Sequence, residues 1–366
     1  MKFSIRQDQL IQPLQMVSSI VDRRHESPLL ANILLRITPQ GLTLTGTDLE
    51  VEMITHINIS NAQTGETTLP AKKLLDICRT IPGESDISFS IDGSQATIRC
   101  GRSRFTLATL PSDEFPALKG IDDPEEFAIS QQRLKQLIDY TSFSMANQDV
   151  RYFLNGICME LHKDSISTVA TDGHRLALCS LRNETGVSET RQLIIPRKAV
   201  IELSRLLSEN DEEVTIQTGT NSIRFLLTDV IFSTRLIDGQ FPDYERVIPQ
   251  SNSNELVVDR VSLGQALKRA SILSNEKIRS VRLNLESELL RISARNQEQE
   301  ESEEEVPARY SGGSLEIGFN VNYLLDILQV LDDEQVRILF GDSNSSCLIN
   351  SSEPVMCRYV VMPMRL

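Results

Sequence analysis

Asp172 and His174 stand two apart in the run ATDGHRLAL (170–178). A carboxylate beside an imidazole is the pair that orients a general base, and serines and cysteines elsewhere could supply a nucleophile. The rest of such a machine is missing from the sequence. There is no G-x-S-x-G elbow, no P-loop, no H-E-x-x-H and no dinucleotide fingerprint, and nothing identifies an oriented third partner. The expectation is a non-catalytic protein without a cofactor, with His174 at a pocket rim.

Metal chemistry fares no better. The four histidines (25, 56, 162, 174) lie far apart without ligand spacing, so no metal is expected. Six cysteines (78, 100, 158, 179, 347, 357) form no C-x-x-C and no compact framework. Scattered thiols of this kind suit a reducing compartment, where they act as small core residues. MKFSIRQDQL has no apolar run behind its lysine, and no stretch approaches the roughly 18–20 apolar residues of a membrane span. A cytoplasmic protein is expected, with no membrane partner.

The chain has 366 residues, 51 acidic and 37 basic, and a formal net charge of −14, which argues against one broad basic face. Local placement matters more than the sum. Lys72, Lys73 and Arg79 fall opposite the apolar positions of one helical pattern, and Arg197, Lys198 and Arg205 do so in another. Arg133, Lys135, Lys268 and Arg269 add to further helices. Acidic residues crowd segments expected to be loops: DDPEE (122–126), ENDEE (209–213) and EQEESEEE (298–305). Any one helix of this kind reads as a solvated face. Several with the same bias could line a common surface that attracts phosphates without reading sequence. QDVRYF (148–153) joins an amide, an arginine and two aromatics, and by default is a strand entry with a packed ring.

The elements that position these residues recur. LLRITPQGLTLTGTDLE (34–50), ICMELHKDSISTVATDGHR (157–175) and VRLNLESELLRISARNQEQ (281–299) share a strand–turn–strand pattern, with Asp48, Asp172 and Asn296 spaced 124 apart. Each is followed by a helical pattern: LPAKKLLDICRTI (69–81), IPRKAVIELSRLL (195–207) and FNVNYLLDILQVL (319–331). Ala71, Leu74, Leu75 and Cys78 share one face, and Pro70 and Pro196 sit where a helix start tolerates proline. Amphipathic patterns near 7–19, 131–143 and 262–273 open the repeats, and short alternating strands fill most of what remains. The reading is α+β: three tandem domains, 1–120, 121–247 and 248–366, each with two helices packed on antiparallel sheets.

The three repeats, TDGHRLAL, FPDYERV (241–247) and YVVMPMRL (359–366) together resemble the β sliding clamps of bacterial DNA polymerase III along the whole chain. The resemblance implies a head-to-tail homodimer: a ring of six similar domains, lined by helices, through which double-stranded DNA passes without sequence being read. Persistence on DNA would come from topology. For DNA contact it implies Arg24, Lys72 in a position where the family often has arginine, and Gln148, Tyr152 and Phe153. Phe153 stands where a tyrosine is frequent. Arg197 and Lys198 join them from their helix face.

For partners the resemblance implies an apolar pocket between the second and third domains that receives a short linear motif. Its donors would be replicative and translesion polymerases, the clamp loader, and mismatch-repair and ligation proteins. Matching positions are Leu154, Thr171, Gly173, His174, Arg175, Leu176, Pro242, Arg246, Val247 and Ser346, followed by Val360, Met362, Pro363, Met364, Arg365 and Leu366. Methionines would form an adaptable wall and arginines would hydrogen-bond the peptide. At the dimer joint, Phe105 and Leu107 match one side and Ile272 and Leu273 the other. Lys73, Arg102 and Arg104 would face Glu298, Glu300, Glu301, Glu303 and Glu304. The rival reading is an interaction scaffold that never encloses DNA.

Overall fold

The computed structural model describes residues 1–21, 27–60, 62–118, 120–275, 278–351 and 355–365. Arg24 and Leu366 lie outside the described residues. Two helices fall in each repeat: α1 (Gln7–Ile20) and α2 (Ala71–Thr80), α3 (Gln131–Ser142) and α4 (Arg197–Leu206), α5 (Arg260–Ser271) and α6 (Val321–Val330). On α2 the buried residues are Ala71, Leu74, Leu75 and Cys78, the face that the 3.6-residue period selects. Asp259 caps α5 by accepting the Ser262 N–H at 2.7 Å, and Asn320 caps α6 through the Asn322 N–H at 3.0 Å.

The chain packs as two compact units, Met1–Gln131 with Arg205–Leu236 and Gln132–Ser204 with Ile237–Leu366. The central repeat therefore contributes to both, and every strand pair in either unit is antiparallel.

In the first unit a four-stranded sheet runs β1 (Lys2–Arg6), β6 (Asp86–Asp92), β7 (Gln95–Cys100), β8 (Ser103–Ala108). An eight-stranded sheet begins with β5 (Gly65–Pro70), β2 (Asn32–Thr38), β3 (Gly41–Thr47) and β4 (Val51–Ile57). It continues through β16 (Val230–Arg235), β15 (Ser222–Leu226), β14 (Glu213–Thr218) and β9 (Glu125–Ser130). The joint is β4 on β16, where Glu52 faces Ser233.

The second unit holds one twelve-stranded sheet. It starts β13 (Arg191–Pro196), β10 (Gly156–His162), β11 (Ser165–Thr171), β12 (Arg175–Arg182), β24 (Met356–Val361), β23 (Cys347–Asn350). It ends β22 (Gln335–Phe340), β17 (Asn254–Asp259), β20 (Glu301–Tyr310), β19 (Leu289–Arg295), β18 (Ser280–Glu286), β21 (Leu315–Asn320). Here β12 on β24 is the joint, and Leu176 faces Val360.

Four expectations need correction. Segments 122–126 and 209–213 run into strands at Glu125 and Glu213, and residues 298–305 are not a loop throughout, because 301–305 belong to β20. Their charge is tolerated there by pairing: Arg291 lies across from Glu305 and Arg295 from Glu301. Residues 152–154 form a 3-10 turn instead of a strand entry. The helix expected over 262–273 ends at Ser271, which leaves Ile272 as its cap. Finally, the six cysteines are not all free. The β12–β24 register sets Cys179 opposite Cys357, and a disulfide joins them, while Cys78, Cys100, Cys158 and Cys347 remain thiols. A pairing of residues 178 apart is a property of the sheet that no local spacing announces. Among the described residues no helix is long and apolar enough to cross a membrane, and no cluster of His, Cys, Asp or Glu is placed to hold a metal ion.

Candidate functional site

The TDGHR segment is a tight turn between β11 and β12 that its own side chains close. Asp172 Oδ1 accepts the N–H groups of His174 (2.9 Å) and Arg175 (3.0 Å). The Thr171 hydroxyl donates to the Arg175 carbonyl at 2.6 Å and accepts the Gly173 N–H at 3.1 Å. Gly173 has φ +87°, the left-handed region glycine enters without a Cβ penalty. With its Oδ1 occupied by backbone and its Oδ2 by Arg175, Asp172 shapes the turn and orients no base. His174 is exposed beside it.

Arg175 is held by the fold through all three of its guanidinium nitrogens. Nε meets Asp172 Oδ2 at 3.1 Å, Nη1 meets Asp326 Oδ2 at 2.6 Å and Nη2 meets the Phe143 carbonyl at 2.5 Å. Its guanidinium lies 4.6 Å from the Tyr323 ring centroid and 5.3 Å from that of Phe143. Only 11% of the side chain is exposed. It knits the turn to α6 and the end of α3. Arg246, by contrast, is 84% exposed and pairs with Asp243 at 2.6 Å.

Beneath the turn lies a continuous apolar cluster that includes Leu154, Leu176, Ile194, Phe241, Tyr244, Leu348 and Val360. The FPDYERV segment covers it. Phe241 and Tyr244 point in, while Pro242, Arg246 and Val247 stay exposed. Tyr244 donates its hydroxyl to the buried Glu160 at 2.7 Å, and the Gln192 amide donates to the other Glu160 oxygen at 2.8 Å. Burial first, and then this bond to Glu160, pushes the Tyr244 phenol well above its ordinary range.

The segment after β24 borders the same cluster. The Met362 N–H donates to the His174 carbonyl at 2.9 Å and the Met364 N–H to the Gly318 carbonyl at 2.8 Å. Met362 is 39% exposed, Pro363 and Met364 are half-buried and Arg365 is exposed. Ser346 is half-buried, and its carbonyl accepts from Asn252 at 2.8 Å. Of the expected pocket positions, Leu154, Leu176 and Val360 meet in this cluster, which the turn, the FPDYERV segment and the end of β24 border. Phe241, Tyr244 and Leu348 belong to the cluster and Asp326 holds Arg175, and the sequence reading names none of these four. Motif matching selected the exposed half of FPDYERV. The inward half would have been found from its aromatics.

The loop 148–155 adjoins this turn. Gln148 has φ +56°, and Asn155 clamps Asp149 by two bonds of 2.9 Å. Arg151 bonds Asp149 through Nε (3.0 Å) and Nη2 (2.9 Å), and its Nη2 reaches the Asp172 carbonyl at 3.4 Å. Arg151 holds the Asp149 carboxyl down at about 2. Tyr152 is 57% exposed and rests edge-on against Phe153, which packs on the apolar cluster. Arg197 is half-buried and donates to the Met145 carbonyl at 3.1 Å, and Lys198 beside it is half-buried. Lys72 and Lys73 stand exposed on α2.

Of the residues expected at the dimer joint, Arg104, Phe105 and Leu107 lie on β8 and Glu301, Glu303 and Glu304 on β20, while Lys73 lies on α2 and Ile272 and Leu273 follow α5. Strand β8 is an edge of its sheet, with Phe105 and Leu107 half-buried on one face and Arg102 and Arg104 exposed. Among the described residues β20 pairs with β17 only over 308–310, so its 301–307 stretch has one strand neighbour, β19. Ile272 is 76% exposed and Leu273 half-buried. Glu301 pairs with Arg295 (3.2 Å), Glu303 and Glu305 with Arg291 (2.7 and 3.0 Å) and Glu304 with Arg269 (2.6 Å). Glu298 and Glu300 are exposed, and Glu300 accepts from Asn296 at 2.5 Å.

Comparison with known proteins places this geometry. Three family models match in order: the N-terminal domain of the DNA polymerase III beta subunit over 1–119, its central domain over 128–243 and its C-terminal domain over 245–365. The chain is 48% identical to the beta sliding clamp of Pseudomonas aeruginosa and 46% identical to that of Escherichia coli K12, over the full length of both chains in each case. Among solved structures, the sliding clamp of Pseudomonas aeruginosa with a ligand matches with a TM-score of 0.96 at 48% identity. The clamp of Bartonella birtlesii bound to griselimycin matches at 0.96 and 37% identity; both comparisons cover all of each chain.

Proposed function

The chain belongs to the β sliding clamp family of DNA polymerase III, non-catalytic processivity factors, and from that premise we propose how its surfaces divide the work. It tethers the replicative polymerase to DNA. Two copies close head to tail into a ring of six domains, with boundaries near 120 and 247, around duplex DNA in the cytoplasm. The acidic exterior repels stray DNA, while Lys72, Arg197, Lys198 and the 148–153 loop supply local contacts weak enough for sliding.

The surface framed by Leu154, Leu176, Pro242, Val247, Val360 and Met362 receives linear motifs from polymerases, the clamp loader and repair proteins. The observation that supports it best is the apolar cluster kept covered by FPDYERV yet bordered by exposed Val247 and Met362. Adaptable methionine and a preformed turn suit a short peptide. Arg246 and Arg365 are exposed rim cations.

Retention on DNA tests the reading. Labelled protein is loaded by a clamp loader onto nicked circular plasmid, which is then cut once and filtered. Protein that stays on the circle and leaves the linear form encloses DNA. Equal retention on both would replace the ring with direct binding or a scaffold.

A further inference from the structure

The two joints within the sheets are copies of one construction. In the first, Asp48 Oδ1 accepts the N–H groups of Glu50 (3.0 Å) and Val51 (2.7 Å), as Asp172 does for His174 and Arg175. Thr47 donates to the Val51 carbonyl at 2.9 Å, as Thr171 does to that of Arg175. The Arg235 N–H meets the Glu50 carbonyl at 2.8 Å, and the Met362 N–H meets that of His174 at 2.9 Å. Strand register carries the match onward: Glu52 faces Ser233 as Leu176 faces Val360, and Arg224 faces Ser233 as Leu348 faces Val360.

The chemistry inside the two copies is opposite. Leu176, Leu348 and Val360 belong to the apolar cluster of the second joint. Their counterparts Glu52, Arg224 and Ser233 form a polar assembly in the first. Glu52 is 2% exposed and accepts the Leu118 N–H at 2.9 Å. Arg224 donates to the Ser233 hydroxyl at 3.2 Å and its charge acts on Glu52. Val169 and Ile194 of the second joint likewise correspond to Thr45 and Thr68. At the border, Met362 becomes Arg235. An apolar side chain docking on the first joint would strip water from a charged rim and displace the bond that holds Leu118.

We propose that the first joint is a second copy of the peptide groove shut by Glu52, Arg224 and Ser233, so that each chain takes up one apolar linear motif and not two. The inference rests on the reading of the second joint as the peptide site. These three residues act as specificity determinants by exclusion. Glu52 also fixes the backbone of Leu118 beside the joint.

A synthetic pentapeptide with Leu and Phe as apolar anchors and a benzophenone label serves as the probe. On the wild-type full-length protein, titration calorimetry should give one site per chain, and photolysis should label 241–248 and 360–365 but not 114–118 or 233–236. The variant Glu52→Leu/Arg224→Leu/Ser233→Val should gain a second equivalent, 10- to 100-fold weaker than the first, with label at 114–118. A folded variant that still binds one equivalent overturns the proposal. So does wild-type labelling at the first joint, which decides the matter alone if the variant does not fold. A wild type that binds no probe at either joint overturns the groove reading beneath it as well.

Discussion

Leu49 and Gly173 hold the same place in two copies of one turn, and both are left-handed, at φ 79° and 87°. Glycine reaches that region freely, whereas a leucine Cβ crowds the following carbonyl. Leu49 is also 39% exposed, so little burial compensates it. Leu49→Gly should therefore stabilise the protein by about 0.5–1 kcal/mol, the relief of strain exceeding the added freedom of the unfolded chain. Gly173→Leu should cost about 1–2 kcal/mol, because a Cβ there also meets the Arg151 guanidinium at 3.0 Å. Urea unfolding monitored by circular dichroism checks both. A destabilised Leu49→Gly would mean that the leucine side chain holds the turn.

Arg175 and Arg246 separate scaffold from contact. Removing Arg175 strands Asp172 and leaves the Phe143 carbonyl without its donor, so Arg175→Ala should cost about 2–4 kcal/mol and weaken peptide binding through the fold. Arg175→Lys would not restore the planar fork. Arg246→Ala should change stability by less than about 0.5 kcal/mol, since its ion pair is exposed, yet lower peptide affinity directly. Denaturation and peptide titration on the same preparations distinguish them. An Arg175→Ala protein of unchanged stability would refute the knitting role.

Much of this is legible in the sequence. The helix faces followed from the spacing of Ala71, Leu74, Leu75 and Cys78, because local period fixes which side is buried. The threefold repeat followed from Asp48, Asp172 and Asn296, whose short side chains close turns. The sequence could not show what depends on distant strands meeting. Cys179 faces Cys357 only through the β12–β24 register, and Arg175 finds Asp326 only once α6 is packed. Five glutamates in 300–305 read as a solvated loop because their cross-strand arginines, Arg291 and Arg295, precede them across a turn. The pocket positions came from motif resemblance, and their inward aromatic partners came from the structure.

Glu52 should give stability a pH dependence of known sign. Burial raises its pKa above the ordinary glutamate value, outweighing the Leu118 N–H and the charge of Arg224. A raised carboxyl favours the fold while protonated. Its contribution is full below the unfolded value of about 4.5 and is lost as pH climbs through the folded value. Glu52→Gln keeps an acceptor for Leu118 without the charge. The difference in Tm, variant minus wild type, should thus become more positive from pH 4 to pH 8. A difference that falls over that range would place the net balance of Glu52 on the other side.

Dimer closure should depend on apolar contact more than on ion pairing. Three of the five glutamates expected to meet a partner already have internal cations: Glu303 pairs with Arg291, Glu304 with Arg269 and Glu301 with Arg295. A partner's Lys73, Arg102 and Arg104 would have to compete with these, so little new Coulomb energy is available at an exposed edge. Ile272 is 76% exposed and Phe105 and Leu107 lie on the β8 edge, so burial of these side chains and strand-edge pairing remain as the drive. Replacing Ile272 and Leu273 with alanine should give monomers near 41.1 kDa by sedimentation. Raising salt from about 0.1 to 1 M shortens the screening length from roughly 10 to 3 Å, yet should weaken the wild-type dimer less than about tenfold. A steeper salt response, with the alanine variant still dimeric, would make the acidic edge of β20 the true joint.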